Sequence, residues 1–436
     1  MSRTRLLVAD APGGPHPSLY LPSLLREFTV DVVWLDVEPP AARTLRQAAV
    51  QAAADAGGTV TAVTDPSAIH DAVARVQQSG GAEGIVAFSE RVVHTAQALA
   101  WAAGLSANPP EALRILQDKR LQRRALASGG LVTPSVRELR TETDVARAVR
   151  EAAFPAVLKP AVGMGSIAVF RVEQAADLAP AWHRARALVD SDLRIAHHAP
   201  ALLLEEELVG DPAAAHDGLG DYLSVEALVV SGEPHVLAVS DKLPLSSPFR
   251  ENGHVLPALR PAEEYADAVA VVTHAHRALG ITFGATHTEV KLTPNGPVVI
   301  EVNGRVGGSV PEQLRLAADY DLPLNLARLS VGRPAELVVA FRRWAAYLTP
   351  RPPEGRRVVE AAPTAPELRS LPGIASVHHV AAVGAVLDSA DGTASNLLRV
   401  VATADSPSQI FDLAAGLGEP GAFSTRPADP IRRNYA

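Results

Sequence analysis

The chain has 436 residues, 47% of them hydrophobic and 20% charged, with a net charge of −8 and a pI near 6.0. That length exceeds one ordinary domain and supplies ample core, while the acidic balance argues against nucleic acid or an anionic membrane as partner. Zero cysteines exclude disulfides, thiolate metal sites and a cysteine nucleophile. No apolar run reaches the ~18 residues of a bilayer span, and the N-terminus reads as neither signal peptide nor anchor, so a cytoplasmic protein is expected.

Leu6–Ala9, Val30–Leu35, Thr59–Val63 and Gly84–Phe88 read as strands, with helices at Arg43–Ala56, Ala68–Gln78 and Val92–Ala103. Such alternation predicts a parallel sheet covered by helices, with ligands bound beyond the carboxyl ends of its strands. Asn108-Pro109-Pro110 reads as a boundary, followed by one helix over Glu111–Ala127 and a strand near Leu131–Thr133. Val157–Pro160 and Ile167–Val172 read as strands joined by a glycine loop. Leu202–Glu206, Leu223–Val230 and Val236–Ser240 continue a sheet, and Leu243–Leu259, rich in Pro, Ser and Gly, reads as a surface segment. A helix over Pro261–Leu279 precedes a hairpin at Thr286–Asn303, and a small α+β unit follows Pro350–Pro353.

Within the hairpin, Pro294-Asn295-Gly296 reads as a three-residue turn. Pairing Thr293 with Pro297 then places Glu289 opposite Glu301, where like charges repel unless a hard divalent cation lies between them. Asn303, two residues on, adds an oxygen ligand, and two carboxylates, an amide and phosphate oxygens are a donor set suited to Mg²⁺. Arg305, Gly307 and Gly308 then lead into the helix Pro311–Ala318, a pattern that forms anion sites. Gly163-Met164-Gly165-Ser166-Ile167-Ala168 matches the dinucleotide fingerprint only weakly, since a strand rather than a helix follows. A strand–loop–strand flap with Lys159 at its stem suits closing over nucleotide phosphates. The chain has no G-x-x-x-x-G-K-[ST] motif. It has only four lysines, Lys119, Lys159, Lys242 and Lys291, its other basic residues being arginine.

In order along the chain stand Gln117-Asp118-Lys119, Phe154–Pro160 with the glycine loop, Leu204–Gly210, Ser224-Val225-Glu226, and Glu289 with Glu301-Val302-Asn303-Gly304-Arg305. This series resembles the ATP-grasp ligases over residues 1–335. Gly307-Gly308 and the stretch Ser240–His254 are most similar to the L-amino acid ligase branch, whose members make dipeptides, some for peptide antibiotics. The resemblance implies a multidomain α/β and α+β ATP-grasp fold. Its parts would be an N-terminal α/β domain over 1–110, a small subdomain with the flap over 111–200, a large subdomain over 201–335 and a C-terminal α+β domain over 336–436.

It also implies roles. Lys119 and Lys159 would neutralise the α- and β-phosphates of ATP, and the Gly163, Met164, Gly165 and Ser166 loop would cover the β- and γ-phosphates. Glu205 would accept from the adenine amino group, with backbone at Glu206, Glu207 and Leu208 reading the ring edge. Glu289, Glu301 and Asn303 would hold Mg²⁺, or Mn²⁺ in its place. Lys242 would approach the γ-phosphate, and Arg305 would stabilise charge on the acyl-phosphate and its tetrahedral successor. The family's ribose-binding acid normally follows the hinge glycine by two residues; Gly210 is followed instead by Asp211-Pro212, and Asp221 is the expected substitute. Lys291 has either a phosphate neighbour or a plain surface role.

Glu90, Glu251 and His254 are candidates to hold a substrate amino group, a plain helix N-terminal acid favoured by the dipole being the lesser reading of Glu90. Gly307, Gly308 and Ser309 would border the acceptor. Ser309 stands where some relatives carry a bulky side chain, so a roomier acceptor site is expected. The activity expected is ATP-dependent amide formation between two amino acids, with no nucleic-acid or membrane partner and with a homodimer as the assembly to test. Another acyl-phosphate enzyme of the fold, a carboxylase or formate-using transferase, stays open, as does a nucleotide-binding regulator.

Overall fold

Leu6, Leu7, Val8 and Ala9 have no solvent exposure at all, as a parallel strand covered on both faces requires. Their strand, Arg5–Asp10, lies between Thr29–Leu35 and Gly84–Ala87, and Val60–Val63 pairs beyond Thr29–Leu35, all in parallel. The computed structural model describes residues 3–163, 165–191, 201–215, 218–418 and 422–428. Met164, assigned to the flap, lies outside them. The chain divides into two units, one of Met1–Thr133, Tyr222–Ser240 and Leu256–Arg342, the other of Pro134–Asp221, Asp241–Val255 and Arg343–Ala436. The four segments read from the sequence are thus grouped differently: the N-terminal sheet shares a unit with the hairpin, and the flap shares one with the C-terminal segment.

In the first unit, helices Pro40–Asp55, Ile69–Gly80 and Glu90–Ala102 stand where expected. The helix Pro17–Glu27 was not legible because Pro17 and Pro22 masked its periodicity. The helix expected over Glu111–Ala127 is two, Pro110–Gln117 and Lys119–Ser128. The break is at Asp118, whose backbone is extended and whose carboxylate accepts from the Arg120 N–H at 2.9 Å, a cap that restarts the helix.

The Asn108 boundary is a buried junction, 1% exposed. Its side-chain oxygen accepts from the N–H groups of Thr282 and Phe283, at 2.8 and 3.0 Å, while its Nδ2 donates to Gln97 and to the Phe283 carbonyl. Each buried group left unmet costs ~1–3 kcal/mol. Asn108→Ala should therefore destabilise the chain by about 3 kcal/mol in urea unfolding; a loss under about 1 kcal/mol would show that the junction tolerates solvent.

The hairpin strands Phe283–Thr293 and Gly296–Asn303 pair antiparallel, and Tyr222–Val230 pairs along the other edge of the first. The expected turn is corrected: Thr293 pairs with Gly296, not Pro297, leaving the two-residue turn Pro294-Asn295. Gly296 sits at φ 103, open to glycine alone without strain. A bulge then makes Ile300 the extra residue, since Val290 faces Val299 and Glu289 faces Glu301. The two shifts cancel, so the opposition of the glutamates survives.

The second unit holds an antiparallel sheet in the order Val136–Leu139, Leu202–Glu206, Ala156–Pro160, Phe170–Val172. The strand read at Leu131–Thr133 forms five residues later. The flap's return strand begins at Phe170 rather than Ile167, because Ser166 and Ala168 take left-handed backbone at φ 54 and 55.

Leu243–Leu259 is not all surface: its Gly253–Leu256 strand is fully covered. A Cβ on Gly253 would stand 2.4 Å from the Tyr347 carbonyl oxygen, so only glycine admits that approach. Trp344–Leu348, Leu398–Ala404 and Ile374–Val380 pair antiparallel in the C-terminal part, with the helix Pro407–Gly418 alongside. Among the described residues no helix is long and apolar enough to cross a membrane.

Candidate functional site

In the first unit, the break at Asp118 puts Lys119 at a helix start, a position a cation dislikes. It is compensated: Lys119 Nζ lies 2.8 Å from Glu301 Oε1. Two neighbours on the same helix fix the arrangement. Gln122, 1% exposed, accepts from the Val302 N–H at 3.0 Å and donates to the Val302 carbonyl at 2.9 Å. Arg123 donates to the carbonyl of the bulge residue Ile300 at 2.6 Å, so the kink that aligns Glu301 with Glu289 is held from outside the hairpin.

Among the described residues no group of three or more histidine or carboxylate side chains stands ready to hold a metal. The candidate donors are Glu289, Glu301 and Asn303, two carboxylates and an amide. It fits a hard cation that brings further oxygen ligands with it, as Mg²⁺ does on a nucleotide, and does not fit a tightly caged transition metal.

His287, two residues before Glu289, was not singled out in the sequence. Its Nδ1 lies 2.6 Å from Glu226 Oε1 on the neighbouring strand, and its Nε2 lies 3.5 Å from Glu289 Oε1. Gly307 covers the pair, for a Cβ there would meet His287 Nδ1 at 2.9 Å and Glu226 Oε2 at 3.2 Å. Gly308 faces open space, and the Ser309 hydroxyl donates to Gln313 Oε1 at 3.1 Å. The motif Ser224-Val225-Glu226 was a sufficient signal for Glu226; His287 shares a strand face with Glu289 and could have been found by that spacing.

Glu90 stands in the first turn of its helix, which Ser89 caps, as the helix N-terminal reading has it. It pairs with His94 at 2.9 Å, one turn on, and with Arg305 Nε at 3.1 Å. Burial works against its charge, but the hydrogen bond with His94 and the charges of His94, Arg305 and Lys119 prevail and lower its pKa to about 2. A depressed carboxylate contributes stability above its unfolded-state pKa and loses it as pH falls toward the folded value. Stability should therefore decline between about pH 4.5 and about pH 2, and Glu90→Gln should flatten that decline in urea unfolding at stepped pH. An unaltered acid limb would contradict the assignment.

In the second unit, Lys159 Nζ lies 2.6 Å from Glu205 Oε2, both side chains being largely buried. Glu206 pairs through its backbone N–H with the Ser135 carbonyl at 3.0 Å, and Glu207 holds Arg171 of the flap's return strand at 2.7 Å. Leu208 follows the strand, half-buried. Asp221 folds back onto the hinge: a Cβ on Gly210 would stand 1.7 Å from Asp221 Oδ2. The flap residues Gly163, Gly165 and Ser166 all take positive φ.

Lys242 and His254 are register partners on adjacent strands and converge on Glu251. Lys242, 1% exposed, places Nζ 2.6 Å from Glu251 Oε1, and His254 Nδ1 lies 3.2 Å from the same oxygen. Burial opposes the Glu251 charge, yet Lys242 and His254 hold its pKa well below the carboxylate range. Thr349 and Arg351 donate to the Glu251 carbonyl at 3.0 and 2.7 Å, and the Tyr347 ring lies 5.5 Å from that of His254. None of these three was legible, because they belong to the C-terminal segment and reach Glu251 only through folding. Lys291 is half-buried on the strand of Glu289.

The ATP-grasp domain profile matches residues 152–312. The chain carries an ATP-grasp domain and has the ATP-grasp fold, with the N-terminal parallel sheet described above. The crystal structure of an L-amino acid ligase from Bacillus licheniformis superposes with a TM-score of 0.78 at 21% identity, covering 98% of this chain and 100% of that one. In sequence the chain is 30% identical over 275 residues to the uncharacterized protein y4rH of Sinorhizobium fredii, covering 63% of this chain and 54% of that one. It is 27% identical over 273 residues to the alanine–anticapsin ligase of Bacillus subtilis, covering 61% and 57%. The chain thus spans little more than half the length of these two relatives.

Proposed function

We propose that this chain is an ATP-dependent carboxylate–amine ligase that joins two amino acids or close analogues as an amide, releasing ADP and phosphate. The observation that carries the reading is the hairpin: Glu289 faces Glu301, Lys119 Nζ lies 2.8 Å from Glu301, and Arg305 follows Asn303 by two residues. A carboxylate pair, a cation at contact distance and a guanidinium next in sequence are what neutralising a transferring phosphoryl group requires. The similarity to an alanine–anticapsin ligase supports amino acids as substrates.

A carboxylate is a poor electrophile. Transfer of the γ-phosphoryl group of ATP makes it an acyl-phosphate, which an amine displaces with loss of phosphate. Glu289, Glu301 and Asn303 would hold Mg²⁺, which supplies charge neutralisation at the phosphates. Lys119 and Lys159 are each paired with a carboxylate of the same reading, Glu301 and Glu205, and would take the α- and β-phosphates. Asp221 against Gly210 would take the ribose, and Arg305 the charge of the tetrahedral species. His287, held by Glu226, would orient Glu289. Glu251, His254 and Glu90 are the acids and base that would border an amino group. A cytoplasmic setting, where ATP is available, suits this chemistry.

The test incubates the protein with ATP, Mg²⁺ and a matrix of amino acid pairs, following phosphate release and identifying products by mass. An amide from at least one pair is expected. Phosphate release with no amide from any pair would count against the dipeptide reading.

A further inference from the structure

The second unit contains a cavity of about 1030 Å³ to which the reading above assigns nothing. Its wall includes Leu348, Leu397, Phe411 and Phe423, and three arginines reach it, Arg250, Arg351 and Arg357, the last donating to Thr425. Arg250 is 2% exposed. Among the described residues it donates to backbone alone, to the carbonyls of Ser247 at 2.6 Å and Pro352 at 3.1 Å. Arg351 donates to the Glu251 carbonyl and to Asn396 Oδ1.

Neither the Arg250 nor the Arg351 guanidinium has a carboxylate of the described residues in ion-pair range. The one acid among the described lining residues, Glu354, accepts from the Ser247 hydroxyl at 2.7 Å. Carbonyls and the Asn396 amide oxygen hold these cations in place, and Glu354 and Glu251 offset their charge only from beyond ion-pair range. A buried charge left so is costly, and burial indeed pulls the pKa of Arg250 down and that of Arg351 down to about 10. A carboxylate can take two parallel N–H donors from such a fork, and the volume is that of a small-molecule site with apolar walls and few polar groups.

We infer that this cavity is a binding site for an organic carboxylate with an apolar body, whose anion meets Arg250 and Arg351 and whose body packs on Phe411 and Phe423. It adjoins the Lys242–Glu251–His254 cluster through the Arg351 bond to the Glu251 carbonyl, but uses none of those three side chains and does not depend on the ligase reading.

Titration calorimetry of the full chain without ATP tests this with three probes: phenylbutyrate, phenylbutanol (the same body without charge) and inorganic phosphate (charge without body). Phenylbutyrate should bind with Kd below about 1 mM, and the other two about tenfold more weakly or worse. Ala414→Trp fills the cavity from the Pro407–Gly418 helix without touching either arginine, and should weaken phenylbutyrate about tenfold. Arg250→Lys should also weaken it, with circular dichroism and Tm showing a retained fold, while Glu251→Gln should leave it intact. No binding of phenylbutyrate, equal binding of the alcohol, indifference to Ala414→Trp, or loss on Glu251→Gln alone would each overturn the assignment. A failed ligase assay would leave it standing.

Discussion

Glu301→Gln should lower amide formation on the order of a thousand-fold, equivalent to about 4 kcal/mol of transition-state stabilisation, while the chain stays folded. Gln keeps the shape of the side chain and removes the charge that faces Glu289 and pairs with Lys119. Hard cations discriminate strongly between carboxylate and amide oxygens when only two carboxylates are offered, so the Mg²⁺ concentration for half activity should rise as kcat falls. Lys119 loses its counter-ion, but its side chain is 10% exposed and its pair partly solvated, so the stability change should be modest. Kinetics over a Mg²⁺ series, with calorimetry of Mn²⁺ plus ADP, checks both. Full activity with an unchanged metal requirement would remove Glu301 from the metal assignment.

Lys242→Met should destabilise the second unit by about 3 kcal/mol, because it strands the Glu251 carboxylate among buried neighbours. Lys242→Met combined with Glu251→Gln should recover much of that loss, since no charge is left unpaired; this non-additivity is the signature of a direct pair. Activity should behave differently. If Lys242 serves the phosphoryl group as well as the fold, the double variant regains urea stability but not turnover. Recovery of both would reduce Lys242 to a structural counter-ion. The pH dependence has a definite sign. Because the Glu251 pKa is held well below the ordinary carboxylate range, its contribution to stability is present above that range and lost only in stronger acid. In the double variant this part of the acid limb should be gone.

The scarcity of lysine proved informative because three of the four lysines meet carboxylates at 2.6–2.8 Å: Lys119 with Glu301, Lys159 with Glu205 and Lys242 with Glu251. An ammonium is a compact point charge and can occupy such a position where a guanidinium fork would need more room.

Local order in the chain determined much by itself. The alternation of short apolar runs with alanine-rich segments dictated the parallel sheet, because each strand and helix has its own hydrophobic period. The order of the lysine, glycine-loop and carboxylate motifs marked the ATP-grasp domain. Even the opposition of Glu289 and Glu301 was legible, although through a turn and a register that both differ by one residue. What only the tertiary structure decided concerns partners distant in the chain. The bulge at Ile300 is held because Arg123 donates to its carbonyl, and Lys119 points at Glu301 because Asp118 interrupts a helix that propensity alone would continue. Glu251 keeps its charge in a partly buried place because Lys242 and His254 converge on its carboxylate from adjacent strands, while Arg351, beyond the Trp344–Leu348 strand, bonds its carbonyl. Periodicity records which face of an element is buried. It carries no record of what that face will meet, since long-range contacts are selected by packing and charge compensation in the assembled core.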